Sequence, residues 1–143
     1  MFCRDVSNYL SVTIASTADL TVPKAKLEQG INNKLTDVQQ GYWKITGAGQ
    51  LGKNYVGTVY ITKPDGASVY VISQNVGPQI CNGVGIILDN KLVISWKYTD
   101  NTVYGLTHVT FNGGKGAAKW VSMPGSGRLV DENWTFLTGV DDE

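Results

Sequence analysis

Histidine is nearly absent from this chain: His108 is the only one in 143 residues. A multi-histidine metal centre is therefore excluded by count. Two cysteines, Cys3 and Cys81, are too few for a disulfide scaffold or a thiolate metal cluster. They either pair, if the N-terminus lies against the strand near Cys81, or remain two reduced thiols. Charge is sparse and balanced, 12 basic against 12 acidic residues. A surface that tracks phosphates needs a basic excess or stripe, so nucleic acid is not an expected partner. No apolar run approaches the length of a membrane-crossing helix. Arg4 and Asp5 precede an apolar stretch over 10–15 that Ser11 and Thr13 interrupt. No secretory signal is read there, so the chain is expected either in the cytoplasm or exported with a leader removed.

What is abundant is glycine, 17 residues, set among β-branched and aromatic side chains. From Gly41 onward, apolar and polar residues alternate with period two in about eight short segments: 41–47, 54–62, 68–74, 82–88, 91–98, 102–111, 116–122 and 130–138. Turn signals separate them, among them Pro64-Asp65-Gly66, Asp89-Asn90, Asn112-Gly113-Gly114 and Pro124-Gly125. Short connections between alternating strands describe an all-β, antiparallel up-and-down barrel of about eight strands. Before it, residues 1–40 read as a strand over 9–14 and one N-terminal helix over 23–35. Pro23 suits the helix's first turn, and Leu27, Ile31 and Leu35 recur at helical spacing to form one apolar stripe. Residues 139–143 form a small acidic tail.

Asp89-Asn90 permits a sharper expectation. As a two-residue hairpin turn it pairs Ile87 with Leu92, Gly85 with Ile94 and Gly83 with Trp96. Small residues then share the inner face with a large indole. Ser95 and Lys97 fall on the outer face, together with Val84 and Ile86, so the outer wall is expected to be partly apolar.

Motifs for catalysis are weak. Gly47-Ala48-Gly49-Gln50-Leu51-Gly52 spells a dinucleotide-type glycine pattern, but a strand follows where a helix N-terminus must receive the pyrophosphate. It is read as a turn. Asp131 and Glu132 are adjacent, and neighbours on a strand point to opposite faces, so they do not act as a pair on one bond. Asn133-Trp134-Thr135 fits a glycosylation triplet inside an expected strand and is discounted. His108 lies mid-strand, where a structural role is expected before a catalytic one. No cofactor is implied.

The aromatic residues are the remaining signal. Trp43, Trp96, Trp120 and Trp134 recur roughly once per strand, with Tyr55, Tyr60, Tyr70 and Tyr104 between them. Such side chains either fill a barrel core or line its mouth, where stacking and apolar burial grip sugars, heterocycles or lipids.

Gly41-Tyr42-Trp43 after an N-terminal helix resembles the G-x-W that opens the first strand of lipocalin- and avidin-like barrels, the calycin group. The stretches Gly41–Gly47, Tyr55–Ile61, Tyr70–Ile72, Gly83–Ile86, Leu92–Trp96 and Ala118–Trp120 through Trp134 are also similar to small bacterial β-rich proteins, some labelled fibronectin-binding. The resemblance implies the strand order. It carries no binding residues onto this chain, because the polar pattern of the biotin site on early avidin strands is not reproduced.

The expected function is non-enzymatic binding, with an aromatic-lined mouth for a small apolar or sugar ligand. Trp43, Trp96, Trp120, Trp134, Tyr70 and Tyr104 are the candidate ligand contacts. One alternative is an assembly subunit that oligomerises through its N-terminal strand and outer wall. Another is a cavity enzyme using His108.

Overall fold

The structure, a computed structural model, describes residues 34–49 and 52–140. The expected strand over 9–14, the expected helix over 23–35 except its last two residues, Cys3 and the acidic residues 141–143 lie outside these. Eight strands follow one another: β1 Gly41–Ala48, β2 Asn54–Thr62, β3 Tyr70–Val76, β4 Gln79–Leu88, β5 Lys91–Tyr98, β6 Tyr104–Asn112, β7 Lys115–Met123 and β8 Val130–Thr138. Each pairs antiparallel with the next, and β1 closes onto β8. The barrel is therefore shut, and its ladder leaves no free strand edge of the kind an exchanged N-terminal strand would cover. Among the described residues no helix is long and apolar enough to cross a membrane.

The hairpin at Asp89-Asn90 has the expected register, with Ile87 opposite Leu92, Gly85 opposite Ile94 and Gly83 opposite Trp96. Both turn residues take positive φ, 52° and 63°, the left-handed conformation that lets a two-residue turn follow the strand twist. One connection is tighter than the sequence suggested. Strands expected at 68–74 and 82–88 run on until Val76 faces Gln79, leaving only Gly77-Pro78 between them. Gly77 supplies the positive φ that this reversal needs.

Period-two alternation sends Trp43 and Ile45 of β1, Val59 and Ile61 of β2, and Leu92 and Ile94 of β5 into the lumen, all buried. The packing is uneven along the barrel axis. At the end where β2–β3, β4–β5 and β6–β7 turn, the lumen is filled. Trp43 meets Phe111 at 5.0 Å, Phe136 at 5.2 Å and Trp134 at 6.1 Å between ring centroids. Residues Leu35 to Gln40, which carry no regular structure, close this end. Val38 is buried with the core. Its amide donates to the Tyr70 hydroxyl (3.1 Å), which itself donates to Asp37, and the Trp43 indole donates to the Gln39 carbonyl (3.0 Å). Aromatic side chains fill this half, and backbone and hydroxyl groups satisfy their polar edges.

Candidate functional site

The opposite half is hollow. Where β1–β2, β3–β4, β5–β6 and β7–β8 turn, the inward positions carry Tyr55, Gln74, Trp96, Tyr98, Trp120 and Ser122 beside Val76, and they surround a cavity of about 430 Å³. That volume falls within the range of small-molecule sites. The aromatic walls are mutually braced. Trp96 meets Trp120 edge-on at 6.3 Å, Trp120 meets Tyr55 at 6.5 Å, and Tyr98 stacks on Trp96 at 6.1 Å.

Space for the Trp96 indole comes from Gly105, its partner across β5 and β6. A Cβ at position 105 would fall 2.3 Å from Trp96 Cζ2. With no side chain there, the ring lies flat along the wall and its Nε1 donates to Thr107 Oγ1 at 2.8 Å.

Polar burial is concentrated here. The buried polar or charged residues among those described are Thr107, Ser122 and Glu132, and all three line this cavity. Glu132 is only 4% exposed. It follows Trp134 outward along the inner face of β8, so its carboxylate stands where the filled half gives way to the hollow one. Donors converge on it. Tyr55 Oη donates to Oε2 at 2.6 Å, Trp134 Nε1 donates to Oε1 at 2.7 Å, and Trp120 Nε1 donates to Tyr55 Oη at 2.9 Å. Such a directed chain suits an ionised carboxylate.

Burial lifts Glu132 above the ordinary carboxylate range, and the bonds from Tyr55 and Trp134 pull it partly back. The Tyr55 phenol is held far above its usual range by burial and then by the charge of Glu132, so it stays a donor. Cys81, a buried free thiol, is pushed up to about 11 by burial and then by Glu132. Among the described residues no cation lies within ion-pair distance of Glu132. The one ion pair among them joins Lys119 to Asp131 at 2.7 Å on the outside of the barrel. Lys53 stands exposed at the cavity rim.

The six expected ligand contacts separate into three groups. Trp96 and Trp120 line the cavity. Trp43, Trp134 and Tyr70 are buried in the filled half, because their strand positions place them toward the closed end. Tyr104 points outward and is 61% exposed, being one residue out of phase with the inward Gly105 and Thr107. His108 has the same outward parity, between buried Thr107 and Val109. It faces Val93 and Lys119 on the outer wall, its Nδ1 buried without a hydrogen-bond partner.

Glu132 is the residue that sequence reasoning passed over. Its signal was available, since Val130, Glu132 and Trp134 share one face by period two, and an acid in phase with an inward tryptophan marks a buried charge. Tyr98 and Thr107 give no such signal until the ends of the barrel are assigned. Of the glycine pattern at 47–52, Gly47 and Ala48 end β1, the Gly49 amide donates to the Lys53 carbonyl at 2.7 Å, and strand β2 begins at Asn54. Comparison with protein-family models and with curated proteins found no match to this chain.

Proposed function

We infer that this protein binds a small molecule in the open half of its barrel and performs no chemistry on it. The observation that carries the reading is the division of one lumen into a filled half and a hollow half walled by Tyr55, Trp96, Tyr98 and Trp120. A barrel of eight strands is narrow enough for side chains to fill it completely, so leaving half of it hollow forgoes packing. Stacking on indole and phenol faces suits an apolar or sugar-like body, and Gln74, Ser122 and Glu132 supply polar groups to orient it. The non-enzymatic reading is supported by the position of His108 on the outer wall, away from the cavity. It is also supported by Glu132, whose oxygens meet a phenol and an indole and no nucleophile. The calycin-like resemblance carried by Gly41-Tyr42-Trp43 belongs to the same proposal.

Tryptophan emission tests this directly, because two of the four indoles line the site. A screen of sugars, aromatic heterocycles and short lipids is expected to shift or quench emission in the wild type, and not in Trp96→Phe/Trp120→Phe. A screen in which no compound changes emission, with a calorimetric titration equally silent, overturns the reading.

A second reading, assembly through the outer wall, is favoured by one observation. Val84, Ile86 and Leu88 of β4 and Leu106 of β6 are each about half exposed. Val84 and Leu106 lie in one cross-strand row on either side of Ser95. Apolar residues gathered on one wall suggest association. Sedimentation velocity is expected to show a species larger than the monomer that Leu106→Glu dissociates; a monomer at high concentration rejects this reading.

A further inference from the structure

The geometry points to a ligand class for this cavity: a small organic amine, bound as its cation, with the ammonium group on Glu132 and an apolar or aromatic body against the walls formed by Trp96 and Trp120. This rests on the cavity being a binding site, and it adds the charge and hydrogen-bonding character of what enters.

Three features of the site converge on a cationic donor. Glu132 places a carboxylate at the inner end of a largely aromatic cavity whose other polar groups there, Gln74, Thr107 and Ser122, are neutral, with no cation among the described residues within ion-pair distance. A buried charge without a counter-charge is costly, and a ligand that supplies one recovers that cost on binding. The carboxylate also retains acceptor capacity. Each of its oxygens has two acceptor positions, and Tyr55 and Trp134 occupy one apiece. A primary ammonium, with three donors and one positive charge, matches what is left. Finally, Tyr55, Trp96, Tyr98 and Trp120 present ring faces and edges around the approach to that carboxylate. Aromatic faces attract cations, most strongly where water is excluded.

The same features disfavour other ligands. A carboxylate or phosphate ligand would bring like charge against Glu132 in a low-dielectric space, where repulsion is strong. A neutral ligand of the same shape gains the stacking and leaves Glu132 uncompensated. The remaining titratable groups near Glu132 are Tyr55 from β2 and Cys81 from β4, with Tyr98 from β5 elsewhere on the cavity wall, all with raised values and neutral at pH 7. The inward residues of β1, β3, β6 and β7 beside the cavity, Gly47, Gln74, Thr107, Trp120 and Ser122, do not titrate near neutral pH. Lys53 stands at the rim.

The test compares three probes of similar shape on the intact chain by calorimetry and tryptophan emission: 2-phenylethylamine, 2-phenylethanol and phenylacetate. The amine is expected to bind at least tenfold more tightly than the alcohol, and phenylacetate more weakly than either. Glu132→Gln keeps the side-chain shape and removes the charge, and should cost the amine roughly tenfold or more relative to the alcohol, the ratio of the two affinities being the readout. Should that variant misfold, the wild type supplies the same comparison by titration. Lowering the pH through the raised value of Glu132 should weaken amine binding far more than alcohol binding. Equal binding of amine and alcohol, unaffected by Glu132→Gln or by pH, overturns the charge inference and leaves the binding site standing. Silence from all three probes together with silence from the wider ligand screen removes the site itself.

Discussion

The two halves of this barrel are built from the same eight strands and the same alternation, yet they carry opposite inner surfaces. Toward the closed end the inward positions are Trp43, Ile61, Ile72, Leu92 and Val109, all buried and packed together. Toward the open end β2, β3, β5, β6 and β8 present Tyr55, Gln74, Trp96, Thr107 and Glu132. Within β8 the change takes two residues, from Trp134 to Glu132. One half supplies packing density and the other forgoes it, so stability and binding are separable along a single axis. Substitutions in each half should therefore fail in different assays.

The largest expected effect tests the filled half. Trp43→Ala removes an indole in contact with Phe111, Phe136 and Trp134 and leaves a cavity that Val38 cannot fill. It should cost about 3–5 kcal/mol in urea unfolding, a large share of the stability of a domain this size. The matched change in the hollow half, Trp120→Ala, only enlarges a space that already exists. It should cost about 1–2 kcal/mol while weakening ligand binding and reducing the ligand-induced emission change to the part that Trp96 supplies. Equal losses from the two tryptophans would break the comparison, showing that the open half is as tightly coupled to folding as the closed one.

Gly105→Ala sharpens it at the boundary. The new methyl would meet Trp96 Cζ2 at 2.3 Å and the Val121 carbonyl oxygen at 2.4 Å. Backbone cannot yield as a side chain can, so the indole must leave the wall and give up its bond to Thr107. Overpacking of this kind costs about 1–3 kcal/mol, measurable as a lower urea midpoint. Binding should fall with it, because the displaced ring occupies the cavity.

The contrast between halves also explains what could be read in the sequence. Strand positions and the Asp89-Asn90 register were legible because period-two alternation and a two-residue turn are local properties of the chain. Even the apolar outer positions Val84 and Ile86 followed from that register. Which end of the barrel is hollow was not legible. Trp43 and Trp96 have the same inward parity, and only the closure of β1 onto β8, with residues 35–40 packed across one end, distinguishes a core indole from a wall indole. Tyr104 was placed on the wrong face by treating recurrence once per strand as evidence for the lumen. Parity would have corrected it, since Gly105 and Thr107 claim the inner positions of β6. The helix expected over 23–35 belongs to a region outside the description, apart from Lys34 and Leu35, which are not helical.

Glu132→Gln should separate stability from function more cleanly than any tryptophan change. The folded protein raises the value of Glu132 above its ordinary 4.5, so the native state holds that proton more tightly than the unfolded chain does. Its contribution to stability is thus most favourable below about pH 4.5, declines as pH rises through the folded value, and is flat beyond it. Glutamine cannot ionise. At neutral pH the variant should be more stable than the wild type by about 1 kcal/mol, with a difference that shrinks toward zero in acid. A pH-independent difference would mean that Glu132 takes up its proton equally well in the folded and unfolded chain, so that burial does not raise its value.

Asp131, the immediate neighbour of Glu132, gives the smallest and most direct control. The two acids occupy successive residues of one strand and differ only in the face they serve. Asp131 pairs with Lys119 at 2.7 Å, but the two side chains are 82% and 50% exposed, and water screens most of the attraction. Exposed pairs of this kind contribute about 0–1 kcal/mol, so Asp131→Asn should shift the urea midpoint barely, and less still in high salt. Amine binding should be unchanged, because the charge removed stands outside the barrel wall. If Asp131→Asn weakened the amine as much as Glu132→Gln does, long-range field and not contact with the buried carboxylate would govern binding. The inward face of β8 would then lose its claim to be the site's anchor.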